Sequence, residues 1–161
     1  LISLGHERIG MVTGPDDSRL AQQRELGYLD AMADHDLDRG PALIANGDHS
    51  FQSGFDAGQL LLEVSPRPTA IFAGNDEMAA GGLHAAAQKG IKVPEALSVV
   101  GFDDTPIAAR LCPQLTTVRV PVAEMAEAAA RQLIDSEQAE PQQRIFAPEF
   151  VARGSTGPCP T

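Results

Sequence analysis

Four short apolar runs in this sequence each end in polar residues able to hold a small ligand. They are Thr13 with Gly14, Asn46 with Asp48 and His49, Asn75 with Asp76, and Asp103 with Asp104. A carboxylate accepts two hydroxyl or ring N–H donors at once, and an amide both donates and accepts. Arg24 joins this set because it falls on the helical stripe of Leu20, Tyr28 and Ala31. A guanidinium on an apolar stripe must reach a partner or a cleft. Each residue also has a plainer role. Asp76 reads as the N-cap of the helix that follows. Asp16, Asp17 and Asp104 read as turn residues, and His49 by itself as a loop histidine. Arg24 stays open between a structural ion pair and a ligand clamp.

The sequence offers little for covalent or metal chemistry. There is no phosphate-binding G-x-x-x-x-G-K-[ST], no G-x-G-x-x-G, no G-x-S-x-G and no H-E-x-x-H. Asp48, His49 and Ser53 are neighbours without anything to orient them as a triad. His6, His35 and His84 have no spacing to acids or thiols that makes a metal site, so they read as surface or packing residues. Cys112 and Cys159 lie 47 positions apart and read as idle thiols in a reducing compartment. No catalytic residue, metal or cofactor is expected. An enzyme would have to begin at Asp16 and Asp17, which have no supporting motif.

These groups are positioned by alternating strands and helices. Strands are expected at Arg8–Thr13, Ala42–Ala45, Ala70–Ala73 and Ser98–Phe102. Helices are expected at Ser18–Ala33, Ser50–Val64 and Glu77–Lys89, the last closed by a left-handed Gly90. The strand runs are short and almost wholly apolar, as strands buried on both faces must be. The pattern implies an α/β fold: a doubly wound, mostly parallel sheet flanked by helices. Ligands of such sheets bind outside the carboxyl ends of the strands, where the polar turns gather. Beyond them, a strand at Thr116–Val118 leads to a helix at Val122–Glu137 striped by Val122, Met125, Ala126, Ala129 and Leu133. Gly54 and Gly58 read as close-packing positions. Arg144–Ala147 and Phe150–Arg153 read as two further short strands.

Composition narrows the function. With 12 Lys and Arg against 22 Asp and Glu, the 161 residues carry a net charge of −10. Such a surface repels phosphate backbones, so these residues are not the ones that touch nucleic acid. There is no Trp and one Tyr, too few aromatics for a base-stacking platform. No apolar run approaches the roughly 20 residues of a membrane span. No signal peptide opens the chain. Leu1 is not an initiator Met, so the sequence reads as a piece of something longer.

The segments GHERIGMVTGP, RELGYLDAM, GDHSFQSGFDAGQLLL, RPTAIFAGNDEMAAGG, VPEALSVVGFDD, LTTV and PEFVARGST occur in this order. Together they resemble the LacI-type transcriptional repressors, from Gly5 to about Ser155. The composite of N-D-x-M-A, V-P-x-x-x-S-V-V-G-F-D-D and L-T-T-V is highly specific. The resemblance implies a two-lobed, periplasmic-binding-protein-like type I effector domain behind a helix-turn-helix headpiece. Residues 1–120 would be the second lobe. Residues 121–146 would cross back to a first lobe outside this sequence, and 147–161 would return.

By the same resemblance Arg24 grips the effector, Asn75 contacts a hydroxyl and Asp103 binds hydroxyls or a base. His49 sits where some relatives place an aromatic against the ligand. Val120 stands where relatives often carry Gln, which implies a different effector. Met78, Gly82, Leu83, Ile107 and Leu111 would face a second copy in a homodimer. The implied partners are a sugar or related metabolite and, through the headpiece alone, operator DNA. The implied location is the cytoplasm, with no membrane contact. A periplasmic sugar-binding protein of a transporter is the alternative with the same fold.

Overall fold

The computed structural model describes residues 1–134 and 143–160. The chain order is β1 (Ile9–Val12), α1 (Arg19–Asp34), β2 (Ile44–Ala45), α2 (Phe51–Glu63), β3 (Ala70–Ala73), α3 (Asp76–Gln88), β4 (Ser98–Val100), β5 (Thr117–Arg119), α4 (Val122–Ile134) and β6 (Glu149–Val151). The first four strands form one parallel sheet in the order β2-β1-β3-β4. Met11 pairs with Ile44 on one side and with Phe72 on the other. Past β4 the sheet is extended by the segment around β5: Gly101 N donates to Thr116 O at 2.9 Å and Asp103 N to Val118 O at 2.8 Å. β6 pairs antiparallel with β5.

The expected doubly wound α/β arrangement is therefore present. Met11, Val12, Ile71 and Val99 are all 0% exposed. Each such side chain contributes about 2 kcal/mol through the area it removes from water. One face of the sheet, with Val12, Ala45, Ile71, Ala73 and Val99, packs under α2 and α3. These two helices approach so closely that a Cβ on Gly54 would stand 2.2 Å from Met78 O. Gly58 fits as well, since its Cβ would meet Gly82 Cα at 3.0 Å. The opposite face is covered by α1, whose Tyr28 and Met32 pack with Met11 and Ala70. Tyr28 Oη donates to Ile9 O at 2.8 Å, and burial first, then Asp38, pushes its hydroxyl up to about 12. Beyond α1 this face opens into a groove of about 1120 Å³ that reaches Phe72, Val100 and Phe102.

Several boundaries differ from expectation. The second strand is only two residues, because Pro41–Leu43 form a 3-10 turn in front of it. No strand forms at Arg144–Ala147: Ile145 is 90% exposed, and the chain reaches Pro148 without a partner strand. The last strand is Glu149–Val151, with Arg153 beyond it. α4 is described to Ile134, so its expected end at Glu137 lies outside the described residues. α4 holds no buried residue among those described; Val122 and Met125 of its stripe are 64% and 42% exposed. Gly90 has the left-handed φ of 68° expected after α3.

Candidate functional site

The carboxyl ends of β1, β3 and β4 converge as the parallel fold requires. Arg24, on the second turn of α1, reaches across them. Its Nη1 donates to Gly74 O at 2.7 Å, just past β3. Its Nη2 donates to Asp103 Oδ1 at 3.2 Å, past β4. The guanidinium carbon lies 4.1 Å from the centre of the Phe102 ring. A cation over an aromatic face in a half-dry setting is held by the ring quadrupole. Arg24 is therefore an ion-pair member that also lines the groove reaching Phe72, Val100 and Phe102.

Asp103 and Asp104 both have positive φ, 104° and 54°. Non-glycine residues avoid that region, and where they occupy it the surrounding structure must enforce it. The twist sends the two carboxylates apart. Asp103 turns to Arg24 and keeps 36% of its side chain in solvent. Burial pushes its carboxyl above the usual range; Arg24 opposes this and the Asp76 charge adds to it. Asp104 turns the other way, its side chain 8% exposed, between Arg153 at 2.6 Å and Arg119 at 2.7 Å. It is thus no simple turn residue. Burial raises its carboxyl, but the bonds from the two arginines outweigh burial and hold it below the ordinary range.

The N-D pair exchanges its expected roles. Asn75, not Asp76, caps α3: in extended backbone, its Oδ1 accepts from Met78 N at 2.8 Å. Asp76 begins the helix proper and is fully buried. Its Oδ2 accepts from Thr105 N at 2.6 Å and from Thr105 Oγ1 at 3.0 Å, and its Oδ1 accepts from Thr117 Oγ1. Asp76 so fixes the loop after β4 and the start of β5 behind Asp103. Asn75 uses its other end to donate to His49 O at 3.0 Å. Both polar ends of Asn75 thus engage the protein, and its nearest effect is to hold His49. His49 has φ 72°, and its buried Nε2 has no hydrogen-bond partner. The ring lies over Gly14, where a Cβ would stand 2.3 Å from Nε2. Only glycine leaves room for the imidazole there.

Burial removes Met78 from the residues expected at a dimer contact. Met78 is 0% exposed and belongs to the core, so it has no surface to offer; the long side chain fills the space beneath Gly47 and Gly74. Leu83 is 8% exposed, and Leu111 packs partly against the core. Ile107 is half-buried, and a Cβ on Gly82 would meet open space. Sequence reasoning missed the rings beside them. His84 lies 5.8 Å from Phe51 and 5.4 Å from Phe55, centre to centre, and Phe51 is 40% exposed. The signal was the i, i+4 spacing of Phe51 and Phe55 on α2. Phe102 was missed as the platform for Arg24; its place beside Asp103 was the available signal. Among the described residues no group of three His, Cys, Asp or Glu could hold a metal, and no helix is long and apolar enough to cross a membrane.

A profile of the periplasmic binding protein-like domain matches residues 1–156. The HTH-type transcriptional repressor CytR of Escherichia coli K12 is 37% identical over 99% of this chain and 48% of its own length. The ribose operon repressor of the same organism is 39% identical over 96% of this chain and 48% of its own. The crystal structure of a lac repressor dimer bound to operator and an anti-inducer superposes with a TM-score of 0.90 at 30% identity. It covers 98% of this chain and 55% of that one. The chain spans about half the length of the curated relatives it matches. Those relatives are transcriptional repressors.

Proposed function

The chain belongs to the family of periplasmic binding protein-like domains, and on that premise we propose that it is the effector-binding lobe of a LacI-type transcriptional regulator. The observation that carries the reading is the Arg24–Asp103 pair, set at the carboxyl edge of the sheet with Asp103 in strained backbone. Arg24 and Asp103 bind the effector, a sugar or related metabolite. His49 adds a ring or a hydrogen bond, and Asn75 positions His49. A relative that represses a ribose operon supports the sugar class.

Residues 1–120 form the second lobe, 121–146 cross to the first lobe, and 147–161 return. The exposed Val122 and Met125 of α4 suit a helix whose main packing partner is that other lobe. Effector bound between the lobes favours one relative orientation. A two-fold dimer, formed through Leu83, Leu111 and the neighbouring Phe51, Phe55, His84, Gly82 and Ile107, couples that orientation to the spacing of the DNA-binding headpieces. The protein works in the cytoplasm and meets operator DNA only through the headpiece.

In the full-length protein, Arg24→Ala and Asp103→Ala should each abolish effector-dependent change in operator affinity while circular dichroism and unfolding stay cooperative. Wild-type effector response in both variants would overturn the site. A coding sequence upstream of Leu1 that begins with a signal peptide instead of a helix-turn-helix would overturn the regulator.

A further inference from the structure

The chain has two asparagines, Asn46 and Asn75, in opposite settings. Asn75 is held at both polar ends, by Met78 N and by the His49 carbonyl, and Asp76 follows it. Asn46 is exposed, and Gly47 follows it. Among the described residues its side chain makes a single hydrogen bond, and a long one: Oδ1 accepts from Thr13 Oγ1 at 3.4 Å. The Gly47 N–H donates to no acceptor among the described residues. Its neighbours do: Thr13 N donates to Ala45 O at 2.9 Å, and Asp48 N to Ser53 Oγ at 3.0 Å.

A backbone nitrogen can attack the side-chain amide carbon of the Asn before it and close a five-membered ring. The side chain of the attacking residue ordinarily obstructs that approach, and glycine has none. Asn is for such reasons a thermolabile residue. At Asn46 the attack breaks no hydrogen bond of the Gly47 nitrogen and only one weak bond of the side chain. Packing also keeps the labile pair in place. A Cβ on Gly47 would stand 2.8 Å from the backbone oxygen of Thr13 and 2.3 Å from Sδ of the buried Met78.

We propose that Asn46 is a site of spontaneous covalent modification in the native fold. Gly47 N bonds to Asn46 Cγ, the Cγ–Nδ2 bond breaks, and Nδ2 leaves as ammonia with the proton that Gly47 N gives up. Water then opens the succinimide and returns a proton to Gly47 N. Opening at Cγ yields an aspartate; opening at the backbone carbonyl yields an isoaspartate, in which the main chain runs through Cγ. Either product sets a carboxylate where a neutral amide stood, two positions from Asp48. The isoaspartate also adds a carbon to the main chain between β2 and α2. That stretch is anchored on both sides, by Ala45 O on Thr13 N and by Asp48 Oδ1, which accepts from Ser50 N at 2.9 Å. A close-packed site has no room for the extra atom, so the product loosens the connection. The proposal is independent of the effector-site reading.

The test is incubation of the full-length protein in mildly acidic and mildly alkaline buffer, natively and in urea, followed by peptide mapping that separates the aspartyl and isoaspartyl forms. Native wild type should lose its Asn46 peptide to both products, faster in alkali because the attacking nitrogen must give up its proton, while Asn75 stays intact. Asn46→Gln, whose ring would need six members, should stay intact under the same conditions. The thermal midpoint of incubated wild type should fall, and that of incubated Asn46→Gln should hold. Products at Asn46 only in urea would overturn the proposal. Products in the native protein with no fall in midpoint would overturn the loosening. Should Asn46→Gln not fold, Asn46→Ser serves as the same control.

Discussion

At the amino ends of β1, β3 and β4 sits His6, fully buried, and at their carboxyl ends sits His49. His6 Nδ1 bonds Thr69 Oγ1 at 2.9 Å, and its Nε2 bonds Ser98 Oγ at 3.0 Å and Gly157 O at 3.1 Å. It therefore ties the segment before β1 to two strands and to the tail after β6. His49 has an unpartnered Nε2 and a left-handed backbone. The same contrast extends to neighbours. Ser98 and Thr69 are satisfied at one end, while Asp103 is strained and raised in pKa at the other. One end of the sheet is built to minimise its free energy, and the other holds strain and open hydrogen-bonding capacity that a ligand can relieve.

The comparison is broken most directly by replacing each histidine. His6→Ala should cost about 3 kcal/mol in denaturant unfolding, because it opens a cavity and leaves Thr69 and Ser98 short of a partner. His49→Ala should cost within about 1 kcal/mol, since it loses no side-chain hydrogen bond. Equal losses at the two positions would refute the contrast.

A smaller effect comes from pH. Burial lowers the His6 pKa from its ordinary 6.5, and the bond to the Gly157 carbonyl only partly offsets it. The unfolded chain then binds a proton at higher pH than the folded one. The stability His6 contributes is present above about pH 6.5 and falls away as pH drops through that value toward the lower folded pKa. His6→Gln should flatten this acid-side slope in unfolding measured from neutral pH downward. An unchanged slope would mean that another group carries it.

Much of this architecture was legible in the sequence. Apolar runs bounded by polar turns located four strands, and parallel topology then placed Thr13, Asn75 and Asp103 along one edge. What remained hidden depends on contacts between distant residues. Asn75 and Asp76 are equally good caps by type, and the choice was made by Thr105 and Thr117, which bury Asp76 from 29 and 41 positions away. Met78 looks like any helical Met until α2 closes over it through Gly54. His6 had no motif to mark it, because its three partners lie 63, 92 and 151 positions along the chain. Arg144–Ala147 looked like a strand because local pattern cannot say whether a partner strand is present.

The smallest expected change in stability is the most instructive about the carboxyl edge. Asp103 has φ 104°, where Asn is better tolerated than most residues, and its ionised form is disfavoured by burial and by Asp76. A carboxyl with a raised folded pKa adds stability below its unfolded pKa and loses it as pH rises through the folded value. Ionising Asp103 therefore costs more in the fold than in the unfolded chain even with Arg24 opposing, and Asp103→Asn removes that cost while the amide oxygen can still accept from Arg24. The variant should match wild type in denaturant unfolding at pH 7 or exceed it by up to about 1 kcal/mol, and yet lose effector response. A group retained at the expense of stability is held there for binding. A clear loss of stability in Asp103→Asn would instead make the Arg24–Asp103 pair a structural ion pair, and the carboxyl edge would then resemble the amino edge after all.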